Sequence, residues 1–167
     1  MTVDEFLANP EVLRSIYGDL PWLGDDFRVR SINLNWRGPT VIMRTDLPHF
    51  PDSVPQDWSK GGADTMQCHL QFLAVENISV RKWEPPVIAR IQVASREGGR
   101  RIDVSLKGDG IDVDFSCSDS VLVGRVSAFK SHHDGSDGGS RSFVSRIDAR
   151  RYSSLPGTDE KTYYGRI

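Results

Sequence analysis

Asp103, Asp112 and Asp114 are the side chains whose types and spacing could act together. Residues 101–106 and 111–115 each alternate apolar and polar positions, so pairing them puts all three carboxyls on one sheet face. Carboxyls about 5–10 Å apart across a cleft can divide acid and base roles. Without a cleft, the same charges make an acidic patch that steers a basic protein partner. They could equally be a solvated face whose cross-strand ion partners are Arg90, Arg101 and Arg125. The histidines offer less chemistry. His132 and His133, with Asp134 and Asp137, have metal-ligand residue types but lie in a glycine–serine stretch without zinc or calcium-loop spacing. They read as solvated linker residues, and neither metal nor cofactor is expected. His49 falls in a proline-rich loop and His69 on the polar face of a strand, with no Gly-x-Ser-x-Gly elbow to serve either. Cys68 and Cys117 form no metal or redox motif and read as buried free thiols. The four tryptophans do not interleave with basic residues on an exposed face, which argues against nucleic acid. They read as core or loop anchors, and one of them, Trp58, could anchor a protein interface if half-exposed.

The elements that must position these residues are mostly strands. Residues 87–93, 101–106 and 111–115 show period-two alternation and are joined by Gly98-Gly99 and Gly108-Asp109-Gly110, turns suited to tight antiparallel hairpins. Residues 29–36 and 41–45 flank a turn around Arg37-Gly38-Pro39, residues 66–72 alternate, 73–83 continue as a strand or sharp bend, and 121–129 complete the sheet. Two short helices precede it. Thr2-Val3-Asp4-Glu5 is a capping box, and Asn9-Pro10-Glu11 starts a second helix with Val12, Leu13, Ile16 and Tyr17 along one stripe. The prolines of residues 46–64 forbid a strand there, leaving a long loop anchored by Leu47, Phe50 and Trp58. The expectation is an α+β fold, with N-terminal helices packed on a meandering, mostly antiparallel sheet.

The 167-residue length suits one domain able to bury a core without disulfides. Residues 1–129 carry 14 basic and 18 acidic side chains and residues 130–167 carry 7 and 5, a mildly acidic body with no global pull toward nucleic acid or anionic membrane. The N-terminal residues Asp4 and Glu5 do not suit a signal peptide, and no segment has the length of a membrane span, so a cytoplasmic protein is expected. The expected division is a single domain over 1–129, followed by a Gly/Ser-rich linker and flexible tail over 130–167. In that tail Phe143, Val144 and Ile147 suffice at most for one docked turn or strand.

Three blocks carry a family resemblance. They are Arg37-Gly-Pro-Thr-Val-Ile-Met-Arg-Thr-Asp-Leu-Pro-His-Phe-Pro, running to Trp58; Gln67-Cys-His-Leu-Gln-Phe-Leu-Ala-Val-Glu-Asn-Ile-Ser-Val-Arg-Lys-Trp83; and Gly110-Ile-Asp-Val-Asp-Phe-Ser-Cys-Ser-Asp-Ser-Val-Leu-Val-Gly-Arg-Val-Ser-Ala-Phe129. With the helical start, about residues 1–130 resemble the immunity protein 50 family of actinobacterial toxin systems. The resemblance implies a non-enzymatic antitoxin that binds a cognate protein toxin and neutralises it by stoichiometric occlusion. It brings no binding residues with it, so Asp103, Asp112, Asp114 and Trp58 are proposed on their own chemistry. The rival expectation is a small-molecule-binding or catalytic β-domain with a pocket inside a curled sheet. A deep polar cavity holding His49 or His69 beside a carboxylate distinguishes it.

Overall fold

The computed structural model describes residues 1–138 and 141–144. Nine strands form one antiparallel sheet: β1 (Phe27–Asn35), β2 (Thr40–Asp46), β3 (Thr65–Phe72), β4 (Glu76–Trp83), β5 (Val87–Ser95), β6 (Arg101–Gly108), β7 (Ile111–Ser118), β8 (Val121–Phe129) and β9 (Arg141–Phe143). Their order across the sheet is β4-β7-β6-β5-β1-β2-β3-β8-β9. Among the described residues, helical structure is limited to a 3₁₀ turn at Val3–Phe6, α1 (Glu11–Tyr17) and α2 (Gln56–Lys60). The molecule is therefore largely β, and the expected α+β description holds only roughly. Helices this short have little stability of their own and persist because the sheet supports them.

The sheet has two halves. One is β1-β2-β3-β8-β9 and the other β5-β6-β7-β4, joined by three residue pairs, Phe27↔Ala89, Arg28↔Ile88 and Val29↔Val87. Beyond that seam, the β5 backbone is met by loop and chain terminus: Ile91 N–H donates to Gly24 O at 2.8 Å and Val93 N–H to Met1 O at 3.1 Å. The chain crosses between halves through residues 73–75, where Ala74 takes φ +51°, and again after Ser118, whose N–H donates to Leu73 O at 2.8 Å. The inward side chains of both halves form a single apolar core. Phe72 of β3 and Phe115 of β7 meet edge to face with ring centroids 5.1 Å apart. Among the described residues, the buried apolar side chains of both halves pack into one cluster, and His49 and His69, which the rival reading needs beside a carboxylate in a deep cavity, are not part of it.

Local sequence explains much of this. Ile102, Val104 and Leu106 are buried while Asp103, Ser105 and Lys107 face outward, as alternation requires. The capping box holds the first turn, with Thr2 N–H donating to Glu5 Oε1 at 3.0 Å. Asn9 departs from expectation. Instead of capping α1, its side chain acts as a strand residue, donating to Val123 O at 2.7 Å and accepting from Val123 N–H at 2.9 Å. With the Leu7↔Val121 bridge, it covers the part of the β8 edge that β9 leaves open.

The region after Phe129 also departs from expectation. Residues 131–138 lie over the outer face of β1–β3, and β9 pairs with β8 through Ser127↔Phe143, Ala128↔Ser142 and Phe129↔Arg141. The folded unit thus extends beyond residue 129 through Val144, whose N–H donates to Val126 O at 2.9 Å. Ile147 and the rest of the expected tail lie outside the described residues. Cys68 and Cys117 are buried free thiols, as expected, and burial pushes the Cys117 thiol up to about 12.

Candidate functional site

The outer face of β4–β7 gathers the three aspartates. Cross-strand register sets Asp112 opposite Lys107, Asp114 opposite Ser105 and Asp103 opposite Ser116. All three carboxylates share one face, as alternation predicts, and each is neutralised. Asp112 Oδ1 accepts from Arg81 Nη2 at 2.5 Å and also from Lys107 Nζ. Asp114 accepts from Ser105 Oγ at 2.6 Å, from Lys107 Nζ at 3.1 Å and from Arg81. Asp103 takes Arg96 Nε at 2.9 and 3.0 Å and Nη2 at 2.8 Å. The face is therefore charge-balanced and not an acidic patch.

The ion partners differ from those expected. Arg90 pairs with Asp25, Arg101 lies 3.3 Å from Glu76, and Arg125 is buried on the other half of the sheet. Arg81 reaches the carboxylates from the neighbouring strand β4 and Arg96 from the end of β5, a placement set by tertiary structure. The hydrogen bonds from Arg81 and Lys107 hold the Asp112 carboxyl down at about 2, the opposite of what a general acid near neutral pH needs.

These ion pairs border an open trough of about 830 Å³ lined by Met1, Trp22, Gln92, Arg96, Asp103 and Asp114. Trp22 is 53 % exposed. Its ring packs against Gly24, where a Cβ would stand 2.5 Å from the tryptophan Cζ2, so only glycine gives the indole this seat. Trp58, the expected anchor, occupies the opposite environment. The single turn of α2 directs it inward, and at 9 % exposure it belongs to the core and offers a partner almost no surface. The signal for Trp22 was the Pro21-Trp22-Leu23-Gly24 sequence, a tryptophan two residues before a glycine.

The histidines sit apart from this trough. His49 contributes its carbonyl oxygen to Tyr17 O–H at 2.6 Å. His69 is buried in the outer layer of β3, where burial and the nearby charges of Arg125, Arg44 and Arg141 push its imidazole down to about 3. His132 Nε2 is 2.9 Å from Gly138 O, and among the described residues no group of three metal-ligating side chains occurs.

A second polar assembly, which local sequence did not announce, crosses the outer face of β1–β3. Arg30 grips Asp46 through Nε at 3.2 Å and Nη2 at 2.6 Å, and its Nη1 donates to Gly135 O at 2.5 Å. Asp137, from the glycine–serine segment, accepts from Gln67 Nε2 at 2.9 Å, from Arg44 and from Arg141 Nη2 at 3.4 Å. Arg141 also donates to Gln67 Oε1 at 2.9 Å and Ser127 Oγ at 3.2 Å. These contacts fasten the segment after Phe129 to the sheet.

The domain combines a buried apolar core, an open trough and surface charges paired with one another. The chain belongs to the Immunity protein 50 family, whose description it matches over residues 9–128, well over half of its length. No curated protein and no solved structure matches it. Among the described residues, no helix is long and apolar enough to cross a membrane.

Proposed function

We propose that this protein is a cytoplasmic antitoxin that neutralises a cognate protein toxin by stoichiometric occlusion, without turnover, using the outer face of β4–β7. Family membership supports the class of partner. The observation that carries the choice of face is the trough lined by Trp22, whose half-exposed indole matches the anchors that dominate protein interfaces. A standard interface buries about 1,200–2,000 Å² in total, so the toxin must extend past the trough onto Asp112 and its partner Lys107. Because Asp103, Asp112 and Asp114 are each paired already, they set the register of docking by exchanging partners, with no net charge to drive long-range capture.

The test is co-expression with candidate toxin domains in a sensitive host, starting from any toxin gene found adjacent to this one, alongside titration of the purified pair. The expected result is survival and a one-to-one complex without consumption of any metabolite. Trp22→Ala and the triple replacement of Asp103, Asp112 and Asp114 by lysine should each lose protection while remaining folded. Full protection by both variants removes this face from the account, and turnover of a small molecule by the purified protein removes occlusion itself.

A further inference from the structure

Strand β4 ends the sheet, and among the described residues no strand pairs its outer edge. All of its residues but Ser79 are exposed, including Ile78 at 40 %, Val80 at 51 % and Trp83 at 40 %. An open edge carrying apolar side chains is a template for a further strand. We propose that β4 pairs antiparallel with β4 of a second copy, about a twofold axis through Ser79, giving a dimer with one continuous sheet.

The register follows from the side chains. Centring on Ser79 sets Glu76 opposite Lys82 of the partner subunit and Ile78 opposite Val80 of the partner subunit, each pair occurring twice by symmetry. Centring on Ile78 would set Glu76 against Val80, and centring on Val80 would set Ile78 against Lys82, so each places a charge against an apolar residue. The faces agree as well. Glu76 pairs with Ser116 and Lys82 with Asp112, both outward positions of β7, so the two charges lie on one side of the sheet. The two irregularities of β4, between Glu76 and Ser79 and between Val80 and Lys82, flank the axis, and the bends of the two copies would meet one another. Glu76 rests 3.3 Å from Arg101 with its side chain 60 % exposed, so it can be drawn to the new partner. At the other end of the sheet, β9 is three residues long and Leu7–Asn9 cover the β8 edge, so assembly closes at two copies.

Sedimentation velocity on the full chain, from micromolar to submillimolar concentration, tests this. The expected result is a concentration-dependent dimer. E76K or K82E alone sets like charges opposite each other at both symmetric sites and should weaken association about tenfold. The double variant E76K/K82E restores opposite charges and should recover it, with circular dichroism showing all three folded. A monomer at every concentration overturns the proposal and leaves β4 to a strand from a different protein. Single variants that dimerise like the parent, or a double variant that fails to recover, overturn it equally.

Discussion

Asp137→Asn removes a carboxylate shared by three guanidiniums and leaves their charges facing one another. Arg30 and Arg141 have side chains only 4 % and 1 % exposed, Arg44 is 20 % exposed, and Asp137 itself 18 %. Breaking a fully buried ion pair from one side costs about 3–5 kcal/mol. Two features reduce that here: Asp46 remains beside Arg30, and Arg44 and Asp137 keep some contact with water. The expected loss is therefore about 2 kcal/mol at pH 7, or roughly 4–8 °C in Tm for a chain of this size. The pH dependence gives a second readout. Burial raises the Asp137 carboxyl, but the Gln67 hydrogen bond and the charges of Arg44, Arg30 and Arg141 outweigh it and hold the group below its ordinary value. A carboxylate depressed in the folded state contributes stability above the unfolded value, near pH 4, and loses it as pH falls through the folded value. The gap between parent and D137N should be full at pH 7 and shrink below about pH 4. Urea unfolding at the two pH values, with equal m-values, measures it. A difference below about 0.5 kcal/mol at pH 7, or one unchanged in acid, would refute the idea that this carboxylate latches the segment down.

Other perturbations probe the rest of the fold. Phe115→Ala removes one ring of the edge-to-face pair that joins the two half-sheets and should cost about 3–5 kcal/mol in chemical denaturation. Asn9→Ala strips the Val123 N–H and C=O of their partners, with an expected loss of about 1–3 kcal/mol. Gly108→Ala drives a Cβ to within 2.3 Å of Ile88 O and should lower Tm sharply, whereas Gly99→Ala, with nothing within 4 Å, should leave it nearly unchanged. His69 is held neutral, so the unfolded chain takes up its proton first as pH falls below about 6.5. Stability should then decline by at most about 1.4 kcal/mol per pH unit until the folded value is reached, and His69→Gln should flatten that limb.

Strands with strict alternation were legible residue by residue. Ile102, Val104 and Leu106, and Ile111, Val113 and Phe115, face inward as their spacing demands. β4 was ambiguous because its register irregularity between Val80 and Lys82 leaves consecutive residues on one face, Arg81 bonded to Asp112 and Asp114 and Lys82 to the Asp109 carbonyl, which spoils the period of two. The shared face of Asp103, Asp112 and Asp114 was legible for the same local reason that the strands were. Their neutralisation was not, since Arg81 and Arg96 arrive from neighbouring strands and turns. Tryptophan exposure depends on how a short segment is turned: α2 points Trp58 inward, and Gly24 lets Trp22 lie across the surface. Asp137 looked like linker composition because its partners Arg30, Arg44 and Gln67 come from three separate strands.

The alternation of β6 and β7 separates two kinds of information in one stretch of chain. Residues such as Val104 and Val113 face the hydrophobic interior, while their neighbours Ser105 and Asp114 face outward, held by bonds on that face. Because the outward charges come in matched couples, a couple can be exchanged or inverted with little change in total charge and none in the interior. Substitutions at the alternate outward positions can therefore change what this surface presents to solvent while leaving the scaffold beneath them unchanged.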